Sequence, residues 1–181
     1  GIHCQCNAVK LCHWLPFSLY LLEDPSSANE YHIYFPSMKL HNRHILVTGA
    51  SSGIGAATAS LLASKGNSLL LLSRDESKLS SIANELRVRF NVHVDILAQD
   101  VADTSQLRQR LSEYINIKPI DAAIINHGIS QYGRVSHSKW EDLEPIVPVN
   151  LIGAIAAAHA VLPFMIERRQ GSIIFISSIL G

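Results

Sequence analysis

Short apolar runs alternate with longer segments of helical character from residue 44 onward. Four of these runs are almost uninterrupted, and the run at 92–97 alternates apolar and polar positions. Runs of this kind are typical of strands buried in a parallel sheet. We therefore expect five strands, which lie near 45–47, 68–72, 92–97, 122–125 and 171–178.

Helical patterns fill the intervals between the expected strands. Residues 76–90 and 104–115 place apolar side chains three and four positions apart, as amphipathic helices do. Residues 54–65 have a helical composition, and 149–167 form a long, nearly uncharged, alanine-rich segment. The polar segment at 133–147 contains a proline and predicts an irregular connection. Strands that alternate with helices indicate the α/β class.

A glycine turn follows the first expected strand, in the sequence Thr-Gly-Ala-Ser-Ser-Gly-Ile-Gly from Thr48 to Gly55. A strand that ends in such a turn and opens a helix presents free N–H groups at the positive end of the helix dipole, which suits a diphosphate. Gly49 allows a sharp turn, Gly53 leaves room for phosphates, and Gly55 lets the helix lie close to the strand. Glycine turns also occur for structural reasons alone, so three glycines are a weak signal.

This segment resembles the cofactor turn of the short-chain dehydrogenase/reductase family. The resemblance implies a Rossmann-type doubly wound parallel sheet, incomplete in this chain at about the first five strands. It covers residues 38–181, which we interpret as the N-terminal part of an NAD(P)-binding domain. In the turn, it assigns cofactor binding to Gly49, Ser51, Ser52, Gly53, Ile54 and Gly55.

The end of the second strand bears on the choice of cofactor. NAD-binding members of the family place an acidic residue here, beside the adenosine ribose, where it would repel a 2′-phosphate. This chain has Ser73 followed by Arg74, and a guanidinium binds a phosphate bidentately. We therefore expect NADP(H) to be preferred over NAD(H). The alternative is that Arg74 is a solvated surface arginine.

Asp100 and Val101 follow the third strand and resemble the Asp-Val pair that flanks the adenine in this family. The resemblance implies that Asp100 accepts a hydrogen bond from the adenine amino group while Val101 packs on the ring. The alternative role for Asp100 is to cap the next helix, for which Asp103 or Thr104 is better placed.

Asn126, His127 and Gly128 follow the fourth strand, where the family usually has Asn-Asn-Ala-Gly. The family's asparagine links the central strands and its glycine makes room beside the cofactor. His127 departs from the pattern, as does Ile125. An imidazole titrates near neutrality, but the sequence offers His127 no obvious carboxylate partner for acid/base work. We expect its bulk and its donors to alter the packing around the cofactor.

The resemblance assigns catalysis to Asn150 and Ser178. Asn150 matches an asparagine that holds a proton-relaying water, although by itself it is equally a residue at a helix start. Ser178 matches the serine that hydrogen-bonds the substrate carbonyl, and is otherwise a turn signal. The family's acid is a tyrosine in a Tyr-x-x-x-Lys motif. Tyr132 has no lysine four residues on, and the pair Tyr114 and Lys118, which has this spacing, precedes the Ser178 segment that the family's motif follows.

By resemblance, the activity is that of an oxidoreductase (EC 1.1.1.-) that interconverts a small carbonyl compound and an alcohol by hydride transfer. Because the sequence ends at Gly181, before the place of this motif, we interpret the 181 residues as a fragment without useful activity. The acid/base contribution alone is typically ~10²–10⁴-fold. The alternatives are a non-catalytic dinucleotide-binding module and a non-functional truncated product.

Composition narrows the range of partners. The 15 basic and 15 acidic residues balance, which gives little support to a nucleic-acid partner. The hydrophobic fraction of 48% is typical of a well-buried α/β protein. In the family, helices that correspond to 149–167 pair across a subunit interface, so we expect the intact protein to form a homo-oligomer.

Residues 1–37 differ from the rest and contain all three cysteines. We interpret them as upstream or non-native sequence, with Met38 as the natural start. Cys4 and Cys6 have a metal-like spacing, but no second Cys/His pair follows downstream, so we expect no metal site. The apolar stretch at 11–22 is too short to span a membrane. The cysteine-free remainder suits a reducing compartment, so we expect a cytoplasmic location. The alternative is membrane attachment through residues 1–37.

Overall fold

The computed structural model describes residues 10–13, 21–22, 32–33 and 40–177. Its strands are β1 Lys10–His13, β2 Leu21–Leu22, β3 His32–Ile33, β4 His44–Thr48, β5 Ser68–Ser73, β6 Val94–Ala98, β7 Ala122–Ile125 and β8 Ser172–Phe175. Its α-helices are α1 Gly53–Ser64, α2 Glu76–Phe90, α3 Thr104–Ile117, α4 Trp140–Leu143 and α5 Ala154–Glu167.

Six strands form one sheet in the order β1-β8-β7-β4-β5-β6, and every pair in it is parallel. The five strands from β4 to β8 confirm the predicted doubly wound sheet. β1 lies in the segment that we interpret as upstream sequence, and it pairs with β8 at the edge of the same sheet. β2 and β3 form a separate antiparallel pair.

The sheet buries both of its faces. On β4, Leu46 faces a core shared with α3 and α5, whereas Ile45 and Val47 face a core shared with α1 and α2. Burial on both faces explains why the strands read as continuous apolar runs. The connections β4-α1-β5 and β6-α3-β7 thus place helices on opposite faces, and the carboxyl ends of the strands meet at one edge.

The segment 133–147, which we expected to be irregular, contains a 3₁₀ turn at Val135–His137 and the short helix α4. The long helix, predicted from residue 149, instead has a π-helical segment at Pro148–Gly153 that runs into α5. Pro145 and Pro148 contributed to the prediction that the chain is irregular up to residue 147. A proline in the first turn of a helix lacks only an N–H that has no helical partner there.

By length and composition alone, the helical run Trp140–Glu167 could cross a membrane. The core helix of a globular fold passes the same test, and 44% of the most apolar part of this run is buried inside the protein. Its packing against α3 and β7 explains its apolar character.

Candidate functional site

A cavity of about 550 Å³ opens at the carboxyl edge of the sheet. Its walls come from the segments that follow β4, β5, β6 and β7, and from the π-helical segment before α5. Ligands of open α/β sheets bind at this edge, and the volume is in the ordinary range for a small-molecule site. The cavity therefore combines segments that are far apart in the sequence.

The glycine turn forms the floor of the cavity. Gly49 has a φ of +66°, and a Cβ built on it would lie 2.8 Å from the His127 Cα. Gly53 has a φ of +52°, and a Cβ built on it would meet no atom of the described residues within 4 Å. Both positions favour glycine, and the space beside Gly53 is open to a ligand.

Gly55 has a different role from the rest of the turn. A Cβ built on it would lie 2.1 Å from the Gly49 carbonyl oxygen and 2.7 Å from the Asn126 Nδ2 atom. Gly55 is buried and does not line the cavity. Gly55 thus lies where α1 packs against the turn, and it is not among the residues that line the cavity, although the resemblance assigned it to cofactor binding.

The N-terminus of α1 faces the cavity with its amides uncapped by side chains. The N-cap residue Ser52 is extended, and its side chain makes no capping hydrogen bond with any described residue. The first turn of α1 also carries no acidic side chain. Free amides at the positive end of a helix dipole form a binding site for a phosphate group. These features fit a nucleotide diphosphate.

Beyond β5, the cavity is lined by Arg74, Asp75 and Lys78. Asp75 caps α2, because its Oδ1 accepts hydrogen bonds from the Lys78 amide at 3.0 Å and the Ser77 hydroxyl at 2.7 Å. Its Oδ2 lies 3.1 Å from the Lys78 ammonium. The hydrogen bond from the Lys78 amide contributes most to holding the pKa of Asp75 at about 2. This carboxylate is therefore engaged by α2, while Arg74 is exposed and forms no salt bridge within the described residues.

Asp100 and Val101 line the next wall, where Val101 is buried. The Asp100 Oδ1 accepts from the Ala102 amide at 2.9 Å and closes a local turn. Asp103 caps α3 by accepting from the Gln106 amide at 3.1 Å. Asp103 thus takes the capping role, as expected.

Thr48, at the end of β4, joins that strand to β7. Its buried Oγ1 accepts from the backbone amides of Asn126 at 2.9 Å and His127 at 3.2 Å. The resemblance gave the link between central strands to Asn126. In the structure, the backbone of Asn126 makes this link through the Thr48 hydroxyl, which the sequence analysis did not single out.

The His127 ring lies beneath the cavity wall, with its Nδ1 2.7 Å from the Thr48 Oγ1. Burial lowers the pKa of His127 to about 4, an effect that the backbone carbonyl of Val149 partly opposes. The ring is therefore uncharged at neutral pH. This state fits the prediction that His127 shapes the packing around the site.

Asn150 lies beside the cavity and holds the loop after β7. Its Oδ1 accepts from the Ile129 amide at 2.8 Å, and its Nδ2 donates to the Ile129 carbonyl at 2.8 Å. Both ends of the Asn150 amide are thus engaged by the backbone of a residue that lines the cavity. The other residue assigned to catalysis, Ser178, lies outside the described residues.

The cavity brings together every predicted cofactor-binding residue except Gly55. It also includes residues that the sequence analysis did not assign to it, namely Leu72, Ser73, Asp75, Lys78, Gln99, Ile129 and Val149. Most of these lie within a few residues of an assigned position, at the strand ends. In the described part of the chain, no three His, Cys, Asp or Glu side chains come together as metal ligands would.

Known proteins share this sequence pattern and this fold. The family described as short chain dehydrogenase matches residues 43–181. The human protein named inactive hydroxysteroid dehydrogenase-like protein 1 is 33% identical over 146 residues, which cover 78% of this chain and 43% of that protein.

Two solved structures have a similar fold. A short-chain dehydrogenase from Sphingobium yanoikuyae in complex with NADPH is 33% identical, with a TM-score of 0.69, over 76% of this chain and 54% of that one. An NAD⁺-bound xylitol dehydrogenase is 26% identical, with a TM-score of 0.73, over 79% of this chain and 55% of that one. The chain thus spans about half the length of these relatives, and it belongs to the short-chain dehydrogenase/reductase family of oxidoreductases.

Proposed function

We propose that this protein binds NADP(H) and belongs to an oxidoreductase that interconverts a small carbonyl compound and an alcohol. The observation that carries the proposal is the open N-terminus of α1 in a cavity that also contains Arg74. The first feature suits the diphosphate, and the second suits an additional phosphate on the ribose. A bound nicotinamide supplies or accepts the hydride.

The preference for NADP(H) is supported by the charges beyond β5. An acidic side chain that binds both ribose hydroxyls would favour NAD(H). The nearest candidate, Asp75, is already engaged by the Lys78 amide and the Ser77 hydroxyl. Arg74 remains exposed at the cavity, so the charge available to a 2′-phosphate is positive.

In this proposal, the polar residues near the substrate end have separate tasks. Asn150 fixes the Ile129 backbone, which forms part of the cavity wall. Ser178 is proposed to donate a hydrogen bond to the substrate carbonyl oxygen. Tyr114 and Lys118 have the spacing of the family's Tyr-x-x-x-Lys motif, but they do not line the cavity, and both side chains donate to Asp95 instead.

Replacing Arg74 by alanine tests the cofactor preference. A lost hydrogen-bonded ion pair is worth roughly 1.5–3 kcal/mol, so the Kd for NADPH should rise about ten- to a hundredfold while the Kd for NADH changes little. Fluorescence titration measures both. Arg89→Ala is the matched control, because Arg89 is exposed on α2 beside Glu85 and does not line the cavity. Equal losses for the two nucleotides would refute the role of Arg74.

A second candidate function is a dinucleotide-binding module without catalysis. It is favoured by the relative whose name calls it inactive. Nucleotide binding and ketone reduction are measured separately on the same preparation. Binding without NADPH oxidation supports the module, and turnover supports the enzyme. Absence of both contradicts the two candidates together.

We further propose that copies of the protein associate through the long helical run. Leu151, Ile152, Ile155 and Ile166 expose between 46% and 56% of their surface along one side of it. Exposed apolar stripes of this kind mark interaction surfaces.

The proposed location is the cytoplasm, on the basis of the cysteine-free sequence after Met38. Attachment to a membrane through residues 1–37 is the alternative. Recovery of the native protein in the membrane fraction of lysed cells would contradict the cytoplasmic proposal.

A further inference from the structure

We propose that His127 is a positioning residue that joins the end of β4 to the π-helical segment before α5 as a neutral imidazole. Its Nδ1 accepts a hydrogen bond from the Thr48 hydroxyl, and its Nε2–H donates to the Val149 carbonyl. Both proposed hydrogen bonds are within the protein itself, so the inference does not depend on nucleotide binding.

The hydrogen bonds of Thr48 determine which ring nitrogen carries the proton. The Thr48 Oγ1 already accepts from two backbone amides, those of Asn126 and His127. Its single proton can go to the Ile124 carbonyl at 3.5 Å or to the His127 Nδ1 at 2.7 Å. The shorter contact is the better hydrogen bond. Nδ1 is then an acceptor, and the neutral ring carries its proton on Nε2.

The Nε2 proton requires an acceptor in a buried place. Nε2 is shielded from solvent and makes no hydrogen bond of normal geometry with the described residues. The backbone carbonyl of Val149 is nevertheless near enough to raise the pKa of the ring against the effect of burial. A small adjustment of the ring or the backbone would complete this hydrogen bond, because an unpaired buried N–H is costly.

The π-helical segment explains why a carbonyl is free at this place. In a π turn each amide bonds five residues back, whereas in an α-helix it bonds four residues back. A return to the α-helical pattern therefore leaves one carbonyl without an amide partner. Val149 lies within Pro148–Gly153, just before the α-helical pattern resumes at Ala154. A ring N–H that approaches from β7 is a suitable donor.

Gly153 provides the space that the ring occupies. A Cβ built on Gly153 would lie 3.2 Å from the His127 Nε2 and 3.0 Å from the Val101 carbonyl oxygen. The helix backbone and the imidazole are therefore in close contact. Because Asn150 lies in the same segment and holds Ile129 at the cavity wall, His127 would fix that wall indirectly.

NMR of the full 181-residue chain tests the tautomer directly. Two-bond ¹H–¹⁵N spectra distinguish the Nε2–H form from the Nδ1–H form and from the imidazolium. We expect His127 to be a neutral Nε2–H imidazole at pH 7. An Nδ1–H ring or an imidazolium at that pH would overturn the proposal.

Three substitutions test the two proposed hydrogen bonds of the His127 ring separately, the one to Thr48 and the one to Val149. The amide of His127→Gln can replace Nε2–H as a donor, that of His127→Asn can replace Nδ1 as an acceptor, and His127→Ala replaces neither. Hydrogen exchange of the Ile129 amide reports on the wall, because this amide donates to Asn150. We expect about tenfold faster exchange in His127→Ala and His127→Asn, and near-normal exchange in His127→Gln. His159→Gln, at an exposed site on α5, is the control.

Rescue by glutamine is the decisive outcome, since a role in packing alone would not distinguish the donor from the acceptor. If the Ile129 amide exchanges as slowly in His127→Asn as in His127→Gln, the proposed hydrogen bond from His127 to the Val149 carbonyl is refuted. If His127→Ala exchanges like the wild-type protein, His127 does not position the wall. Circular dichroism and the exchange of β5 amides verify that each variant is folded.

Discussion

At the scale of single residues, the centre of the site is a threonine hydroxyl. Thr48 accepts from two amides of the β7 loop and directs its proton at the His127 ring. One side chain thus links two strand ends and sets the tautomer of a partly buried imidazole. The floor of the cavity depends on this arrangement because the Gly49 turn packs against the His127 backbone.

The partly buried imidazole of His127 predicts a pH dependence of stability. Burial lowers the pKa of His127 from 6.5 to about 4, so the unfolded chain takes up a proton before the folded protein does. The stabilisation is complete above pH 6.5 and is lost as the pH falls towards 4. The loss amounts to roughly 3 kcal/mol, at about 1.4 kcal/mol per pH unit.

Urea denaturation between pH 7.5 and 4 measures this effect against His127→Gln, which cannot titrate. The difference in free energy of unfolding between the two proteins should decline in favour of the variant as the pH falls through that interval. Asp75 and Asp95, whose pKa values lie at about 2, titrate mainly below it. Parallel curves for the two proteins would contradict the proposed state of His127.

The sequence analysis identified residues that a local backbone conformation requires. It missed residues whose role is a hydrogen bond to a distant segment. Gly49 and Gly53 were predictable because a strand-to-helix turn requires their conformations. Thr48 and Gln99 were not assigned because their hydrogen-bond partners come from other segments. His127 was recognised as a departure from the family pattern, but only the structure places its Nε2 against Gly153.

At the scale of elements, the contact between α1 and the glycine turn before it determines how the N-terminus of α1 is oriented towards the cavity. Gly55→Ala tests this junction. Helix propensity alone favours alanine by up to about 1 kcal/mol, but the new Cβ would lie 2.1 Å from the Gly49 carbonyl oxygen. Overpacking typically costs about 1–3 kcal/mol, so the variant should be less stable in urea denaturation. A gain in stability would mean that propensity outweighs packing and would refute the close contact.

Hydrophobic periodicity correctly predicted the helices whose start and apolar face are both set by their own sequence. The helix expected at 76–90 is α2, Glu76–Phe90, because its apolar stripe and its Asp75 cap are both local signals. The first part of the helical run, from Trp140 to residue 147, was predicted to be irregular because its proline and polar residues are typical of loops as well as of helix starts. The π-helical segment contacts His127 and Ile129, which are distant in sequence, and hydrophobic periodicity does not report such contacts.

At the scale of the molecule, the two ends of the parallel strands have different roles. The cavity opens at their carboxyl ends, whereas a polar network lies near the amino ends of β4 and β6. There, the Tyr114 hydroxyl donates to Asp95 at 2.5 Å and lies 3.0 Å from the His44 Nε2. Lys118 also donates to Asp95, at 2.7 Å. This network ties α3 to β4 and β6, so the strands that carry the cavity are held at their far ends.

The proposed association of copies is also a property of the whole molecule. Ile155→Arg places a charge in the exposed stripe of the long helical run and should shift the protein towards monomer in sedimentation velocity. Val88→Arg is the matched control, since Val88 is 88% exposed on α2, away from that stripe. A wild-type protein that is monomeric at high micromolar concentration would contradict the proposal.

The most direct test of the account is a titration of the folded chain with NADPH, compared with Gly53→Ala and its control Gly133→Ala. Both glycines have a positive φ, and a Cβ on either would meet no described atom within 4 Å, but only Gly53 lines the cavity. The account predicts saturable binding that Gly53→Ala weakens by about tenfold or more and that Gly133→Ala leaves nearly unchanged. Folded wild-type protein that binds neither NADPH nor NADH, or equal losses in the two variants, would contradict it.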